Sequence, residues 1–151
     1  MRVLDAVADV EAPPERVWQV VSELVAYARW NPFIVRASGE LALGSRLQLT
    51  IAAPGHRPIT FKPRVVALEP GRSLTWLGRT LLPGLFDGRH TLSVTPAGSG
   101  ARFRTHEEFT GLLVPFVPAI MRDTQRGFGL MAAAVKARAE AGTSLGPAAR
   151  A

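Results

Sequence analysis

The sequence predicts an α+β domain in which a curved antiparallel sheet of about seven strands wraps around one long C-terminal helix. Two observations predict it. The middle of the chain alternates like short strands joined by Gly- and Pro-containing turns, and the end has helical periodicity. Two short helices after the first strand cannot cover the sheet, so the long helix must lie across it. A sheet curved around one helix does not close tightly everywhere, and we expect an internal hydrophobic cavity.

The N-terminal elements are a strand and the two short helices. Residues 2–10 alternate between apolar and polar side chains, which indicates a half-buried strand. A helix begins at Pro13-Pro14, because proline is tolerated in the first turn, where its missing N–H has no partner anyway. The second helix ends before Asn31-Pro32, since a residue that precedes proline is pushed out of the α region.

About six strands follow, separated by short turns rather than by a linker or a repeat. They are predicted in the segments 33–40, 45–53, 58–69, 73–80, 85–95 and 101–111. We therefore expect a single domain over residues 1–141. The small residues of 142–151 indicate a disordered tail.

The long helix is predicted over residues 117–139. Its buried face repeats at a spacing of 4-3-4-3-4 and comprises Val117, Met121, Thr124, Phe128, Met131 and Val135. Gly127 and Gly129 each cost about 1 kcal/mol relative to alanine inside a helix. Their presence indicates that another part of the chain lies close to the helix there.

Composition excludes several classes of function. The chain has no cysteine, which rules out disulfides, cysteine zinc sites and cysteine nucleophiles. The N-terminus lacks the apolar core of a signal peptide. The longest apolar run, GLLVPFVPAIM, is too short to span a bilayer and holds two prolines. We expect a cytoplasmic bacterial protein without integral membrane association.

The basic charge does not indicate a nucleic-acid partner. The net charge is +6, but the arginines are scattered singly and no aromatic-plus-basic repeat forms a stacking platform. No phosphate-binding loop, dinucleotide motif or metal-ligand spacing is present. We therefore expect no cofactor, no metal and no nucleic acid.

The stretch GRHTLSV, residues 88–94, places a histidine on a buried strand face. His90 shares that face with apolar neighbours, and in the last strand Glu107 is an acid on the apolar side. A turn over residues 97–100 would place His90 opposite Glu107, within contact distance across two paired strands. The same register pairs Pro96 with Ala101, Val94 with Phe103 and Leu92 with Thr105. A slip of one residue would separate the pair.

Two roles for the His90–Glu107 pair stay open. As a catalytic pair it would transfer protons, with the carboxylate raising the imidazole pKa and desolvation opposing that rise. As a structural pair it would satisfy its own hydrogen bonds or hold the polar end of a ligand. Trp76 is likewise either a cavity wall or core, whereas His56 is expected in an exposed loop.

Several motifs together resemble the SRPBCC superfamily, with its START/Bet v 1-like helix-grip fold, and within it the polyketide cyclase/dehydrase-like branch. They are APPERVW at 12–18, YARWNPF at 27–33, LEPGRSLTWLG at 68–78, GLFDGRHTLSV at 84–94, GARFRTHEEFTGLLVP at 100–115 and GFGLMAAAVKARAE at 127–140. The resemblance covers residues 3–140 and is specific for the fold rather than for a reaction.

The resemblance implies that the cavity binds a hydrophobic small molecule, either aromatic or lipid-like. The expected ligand contacts are Trp30, Leu49, Ile51, Phe61, Val65, Trp76, Leu92, Phe103, Thr105, Thr124, Phe128 and Met131. The alternative is a polyketide aromatase/cyclase that uses His90 and Glu107 for proton transfer and dehydration. A third reading is a protein-interaction module with an arginine face. Relatives with this fold occur as monomers and homodimers, and the sequence does not choose between them.

Overall fold

Antiparallel strands in two sheets and one long helix form the fold, which a computed structural model describes for residues 1–80 and 82–144. The N-terminal elements are β1 (Arg2–Val10), α1 (Pro14–Ser22), a 3₁₀ turn (Leu24–Ala26) and α2 (Tyr27–Trp30). The strands that follow are β2 (Ile34–Ser38), β3 (Gln48–Ile51), β4 (Ile59–Phe61), β5 (Arg64–Glu69), β6 (Ser73–Thr80), β7 (Phe86–Ala97) and β8 (Gly100–Thr110). A second 3₁₀ turn (Val114–Phe116) leads into α3 (Pro118–Ser144).

The strands form two sheets instead of one. The larger has the order β1-β8-β7-β6-β5, and the smaller has the order β2-β3-β4. The segment 58–69, predicted as one strand, is split into β4 and β5 around Pro63, whose nitrogen cannot donate to a ladder. The α+β fold class, with antiparallel strands and a long C-terminal helix, is confirmed. The described residues hold eight strands in two sheets, where about seven in one sheet were predicted, and an isolated bridge between Arg46 and Arg64 links the sheets.

The β7–β8 hairpin has the predicted register. His90 pairs with Glu107, and the neighbouring pairs up to Pro96–Ala101 are also as predicted. Ala97 and Gly100 pair as well, so the turn itself is only Gly98-Ser99, tighter than predicted. Gly98 has a φ of +57°, a left-handed conformation that suits a two-residue hairpin turn.

Helix α3 lies across the larger sheet with its predicted face inward. Met121, Phe128, Met131 and Val135 are all buried. The helix runs to Ser144, beyond the predicted end at residue 139, and residues 145–151 of the predicted tail lie outside the described part of the chain. Among the described helices, none is long and apolar enough to cross a membrane.

Polar side chains of α3 cover the exposed edge of β1. The Gln125 amide accepts from the Asp5 N–H and donates to the Asp5 carbonyl, at 3.1 and 2.7 Å. Further along, the Lys136 ammonium donates to the Asp9 carbonyl at 2.7 Å. The backbone groups of an edge strand are otherwise free to pair with another chain. These contacts therefore fix the helix on this strand and protect its edge.

Candidate functional site

A cavity of about 400 Å³ lies between the N-terminal part of α3 and the two sheets. Its walls come from β3, β4, the ends of β6, β7 and β8, and the first two turns of α3. The lining residues are Phe33, Ile51, Ala53, His56, Arg57, Ile59, Thr60, Phe61, Gly78, Arg79, Thr80, Phe86, Gly88, His90, Glu107, Phe109, Ile120, Met121 and Thr124. This wall is mostly apolar, which is typical of a small-molecule site.

Two paired glycines make room for two groups of the cavity wall. Gly78 on β6 lies opposite Gly88 on β7, so neighbouring strands lack side chains at the same level. The Phe61 ring lies over Gly78, where an added Cβ would come within 3.2 Å of it. The Glu107 carboxyl occupies the space beside Gly88, and a Cβ there would overlap its Oε1. The glycine pair therefore makes room for one aromatic ring and one carboxyl group.

His90 is held rigidly at the inner end of the cavity. Its ring stacks on Phe128 with the centroids 4.9 Å apart, and it lies 4.8 Å from the ring of its cross-strand neighbour Trp76. Its Nε2 is 2.7 Å from the Thr105 hydroxyl, and its Nδ1 is 3.5 Å from Glu107 Oε2. Three side chains predicted to contact ligand therefore position the histidine.

Burial keeps both members of the His90–Glu107 pair uncharged. Desolvation lowers the pKa of His90 to about 3, with a smaller contribution from the charge of His106. Desolvation also raises the pKa of Glu107 to about 8. Of the two opposing effects predicted for the imidazole, desolvation is therefore the larger. At neutral pH the pair is therefore a neutral imidazole beside a carboxyl group that is mostly protonated.

This protonation state defines what the pair can do. With Glu107 protonated, the arrangement that avoids two facing protons has His90 Nε2–H donating to Thr105 and the Nδ1 lone pair facing the carboxyl group. The single proton of Glu107 faces Nδ1 when it is held on Oε2; held on Oε1, it can be donated to a carbonyl or hydroxyl oxygen of a bound molecule. A carboxylate ligand would meet no positive charge at this end of the cavity.

Polar and charged side chains lie at the opposite, solvent-exposed end. Arg57 and Arg79 line the mouth, and both are exposed. His56 is also exposed, as predicted, but its Nε2 lies 2.9 Å from Asp123 Oδ2 on α3. This contact holds the pKa of Asp123 below its usual value. It joins the loop between β3 and β4 to the helix across the mouth.

The structure brings five of the predicted site residues to the cavity. Ile51, Phe61 and Thr124 line it, and His90 and Glu107 close its inner end. The other nine predicted contacts are outside the lining and stay predictions as ligand contacts; eight of them are buried and Trp30 is half-buried. Trp30, Leu49, Val65, Trp76, Leu92, Phe103, Thr105, Phe128 and Met131 do not line it.

Phe33 is a wall residue that the sequence reasoning missed. The Asn31 side-chain oxygen accepts from the N–H groups of Phe33 and Ile34, at 3.0 and 2.9 Å, and fixes the turn into β2. This turn places the Phe33 ring on Gly127 of α3, where an added Cβ would overlap it. The sequence features that could have predicted this contact are the Asn31-Pro32-Phe33 segment and the glycine at position 127 of the helix. Gly129, by contrast, has open space beside it.

The described residues contain no group of three or more His, Asp or Glu side chains that could hold a metal ion. Cysteine is absent from the whole sequence. His56 and Asp123 form a pair at the mouth, and His90 and Glu107 form a pair at the inner end. The two histidines that line the cavity are therefore each paired with one carboxyl group.

The sequence matches a known family along nearly all of its length. The family described as polyketide cyclase / dehydrase and lipid transport matches residues 1–143. The chain belongs to this family. The match confirms the resemblance to the SRPBCC superfamily, and no curated protein matches the chain.

Solved structures show the same START/Bet v 1-like fold at low sequence identity. The Zhui aromatase/cyclase from Streptomyces sp. R1128 is 18% identical with a TM-score of 0.72, over 92% of this chain and 93% of that one. The protein TTHA0849 from Thermus thermophilus is 15% identical with a TM-score of 0.74, over 94% and 99%. Ara h 8.0201 is 12% identical with a TM-score of 0.68, over 93% and 98%.

Proposed function

We propose that this family member binds one hydrophobic small molecule in the cavity, with a neutral oxygen of the ligand directed at Glu107. The observation that carries the proposal is a mostly apolar cavity of about 400 Å³ with an uncharged acid at its inner end. Pockets of this size enclose most of a drug-sized molecule, and a few polar groups fix its orientation. The family description, which includes lipid transport, agrees with it.

The polarity of the wall narrows the ligand class. Phe33, Phe61, Phe86 and Phe109 give the cavity four aromatic walls, which suit a flat aromatic or polyene body. The polar group at the inner end is Glu107, a hydrogen-bond donor when protonated. The ligand should therefore be uncharged where it meets this residue, and a ketone or a phenol fits better than a carboxylate.

The fluorescent ketone Prodan tests this proposal, because it is neutral, aromatic and small enough for the cavity. We expect saturable binding with one site and a blue-shifted emission. Replacing Ala53 on the wall by tryptophan fills the cavity and should abolish binding. Ala133→Trp, on the exposed face of α3, adds the same bulk outside the cavity and should bind normally. Equal binding by both variants would contradict the proposal.

The role of Glu107 is tested by a matched pair on one strand. Glu107→Leu removes the donor and should weaken Prodan binding about tenfold, in line with the loss of one buried hydrogen bond. Glu108→Leu changes the next residue, whose side chain lies on the other face and is 43% exposed, and should leave binding unchanged. Native mass spectrometry of the purified chain would then identify any ligand retained from the cell.

The neutral pair also favours a second candidate, a cyclase or dehydratase acting on a poly-β-ketone chain. His90 Nδ1 would accept a proton from the carbon next to a carbonyl, while Glu107 gives its proton to the departing hydroxyl group. A C–H and a C–O bond break, a C=C bond forms and water leaves; the proton then returns from His90 to Glu107 across 3.5 Å.

A β-hydroxy ketone thioester that gains ultraviolet absorbance on dehydration distinguishes the two candidates. An enzyme should turn it over and lose turnover in Glu107→Gln, while Glu108→Gln retains it. Binding of Prodan by Glu107→Gln would show that the cavity is intact. No turnover by the unaltered chain would eliminate the second candidate and leave the first.

Cytoplasmic location and a monomeric or homodimeric state remain predictions.

A further inference from the structure

The longest apolar run of the sequence is only partly buried, with Val114 and Met121 in the core. It begins at Gly111 and connects β8 to α3, and several of its large side chains point to solvent. Leu112 is 73% exposed and Phe116 is 77% exposed. Leu82, in the loop between β6 and β7, is 68% exposed. Exposed apolar side chains that cluster usually mark an interaction site.

Backbone hydrogen bonds join these two loops into one surface. The Leu112 N–H donates to the Gly84 carbonyl at 3.1 Å, and the Leu113 N–H donates to the Leu85 carbonyl at 3.0 Å. The Phe116 N–H donates back to the Leu113 carbonyl at 3.0 Å. The exposed leucines and the phenylalanine are therefore presented on paired backbone, next to one another.

This surface continues to the mouth of the cavity. Ile120, one turn into α3, is 42% exposed and lines the cavity; Ile59 on β4 is 66% exposed and lines it from the other side. We call the exposed apolar side chains of this surface the apolar rim; they are Ile59, Leu82, Leu112, Leu113, Phe116 and Ile120. Two members of the rim, Ile59 and Ile120, thus border the opening through which a ligand would pass.

The charges around the apolar rim are mostly positive. Arg57 and Arg79 line the mouth, and Arg122 on α3 has a side chain 71% exposed. The acids nearby are Asp87 and Asp123, with side chains only 16% and 15% exposed. Asp87 accepts from the Gly84 N–H and faces Arg79 at 3.9 Å, and Asp123 accepts from His56 and faces two arginines. The accessible charge is therefore cationic.

We propose that the apolar rim docks on the surface of an anionic lipid bilayer, with the mouth of the cavity facing the lipid. Apolar side chains on short loops can enter the region between headgroups and acyl chains, while neighbouring arginines pair with anionic headgroups. The charge selects an anionic bilayer over a zwitterionic one. The proposal goes beyond ligand binding, because it rests on the exposed residues and not on what fills the cavity.

Sedimentation with vesicles of phosphatidylcholine, with or without phosphatidylglycerol, tests the docking. We expect the chain to bind the anionic vesicles and to bind the zwitterionic ones more weakly. The double variant Leu112→Asp/Phe116→Asp should reduce partitioning at least about tenfold, since two large apolar side chains no longer insert. Its matched control is Val25→Asp/Leu43→Asp, which alters residues 79% and 71% exposed and outside the apolar rim, and should bind as the unaltered chain does.

The contribution of the arginines to vesicle binding can be tested separately. Arg57→Gln/Arg79→Gln should weaken binding to the anionic vesicles several-fold and leave binding to the zwitterionic ones unchanged, and raised salt should mimic it. Prodan binding by Leu112→Asp/Phe116→Asp shows that this variant is folded and separates failure of docking from failure of the ligand site. No vesicle binding by the unaltered chain, or equal loss in both aspartate variants, would overturn the proposal. The proposal would also be overturned if the unaltered chain were a dimer that Leu112→Asp/Phe116→Asp converts to monomers, with no effect of lipid. The apolar rim would then bind a second copy of the chain.

Discussion

Helix α3 lies over two regions of the molecule that differ in how they are filled. Its C-terminal half packs on β1 and α1, where Val17, Val135 and Ala139 have no exposed surface. Its N-terminal half faces the cavity, where Met121 and Thr124 border unfilled space. The same helix and the same sheet thus form a closed core at one end and an open site at the other.

The difference arises from a few residues and one break in the sheet. In the closed region, large side chains such as Phe103 fill the space between sheet and helix. In the open region, Gly78 and Gly88 lie opposite each other, and the break at Pro63 separates β4 from β5. The cavity therefore lies where the ladder between β4 and β5 is interrupted, and the glycine pair lets the Phe61 ring and the Glu107 carboxyl form its wall.

The largest expected effect is on stability, and it comes from making the same substitution, phenylalanine to alanine, in each of the two regions. Phe103→Ala, in the closed region, should lower the free energy of unfolding by about 3–5 kcal/mol, because its neighbours cannot collapse into the space. Phe61→Ala, on the cavity wall, should lower it by about 1–2 kcal/mol, since that ring already borders empty space. Urea denaturation measures both. Equal losses would show that the cavity region is packed as tightly as the core.

The two glycines of α3 are expected to respond in opposite directions. Gly127→Ala places a Cβ into the Phe33 ring and should destabilise the fold by about 2 kcal/mol through overpacking. Gly129→Ala meets nothing within 4 Å and should stabilise it by up to about 1 kcal/mol through helix propensity. Thermal unfolding of both variants measures the shifts. A stabilising Gly127→Ala would contradict the close approach of the two elements.

Alkaline pH should destabilise the open region through Glu107. Its folded pKa of about 8 lies above its ordinary value of 4.5, so the protonated form stabilises the fold fully below 4.5, and this contribution is lost as the pH rises through 8. The lowered pKa of His90 acts in the other direction, below pH 6.5. Between pH 6.5 and 8 the unfolding free energy should therefore fall, by roughly 1–2 kcal/mol.

The control for this pH effect is Glu107→Gln, which keeps the shape and cannot ionise. Chemical denaturation at several pH values should give a nearly flat profile between pH 6.5 and 8 for this variant. Glu108→Gln, on the exposed face of the same strand, should retain the fall seen in the unaltered chain. A profile that is equally steep for Glu107→Gln would assign the loss to another group.

The smallest expected effects compare the polar contacts on the two sides of α3. Gln125→Ala leaves two backbone groups of Asp5 without their partner and should cost about 1–2 kcal/mol. Asp123→Asn removes the charge that faces His56, Arg122 and Arg126 at the solvent-exposed mouth, and it should cost less than the loss of Gln125. Denaturation midpoints measure the difference. A larger cost at Asp123 would mean that the mouth contact fastens the helix.

Local patterns were enough to predict the elements and the inner polar pair. Alternation in two long strands and a short hairpin turn fix the register that pairs His90 with Glu107, because any slip would turn an apolar face to solvent. The face of α3 followed from the spacing of its apolar residues. The buried position of Glu107 was predicted from the same alternation.

The cavity wall could not be predicted in this way. Alternation tells which side of a strand is buried, but not whether that side meets another side chain or empty space. Leu92 and Phe103 were placed inward correctly, yet the structure packs them in the core. The wall depends on where β4 separates from β5 and on how Asn31 aims Phe33 at the helix, and these are contacts between distant segments. The local signals for them were Pro63 at the break and the Asn31-Pro32-Phe33 sequence before β2.

An isotope-filtered NOESY spectrum of the ¹³C-labelled chain with unlabelled Prodan tests the central claim most directly. The account predicts contacts from the ligand protons to the methyl groups of Ile51, Met121 and Thr124, which surround the cavity. It also predicts their disappearance in Ala53→Trp. Contacts to Leu24, Val25 and Leu41 instead, which line a separate surface depression, would contradict the account.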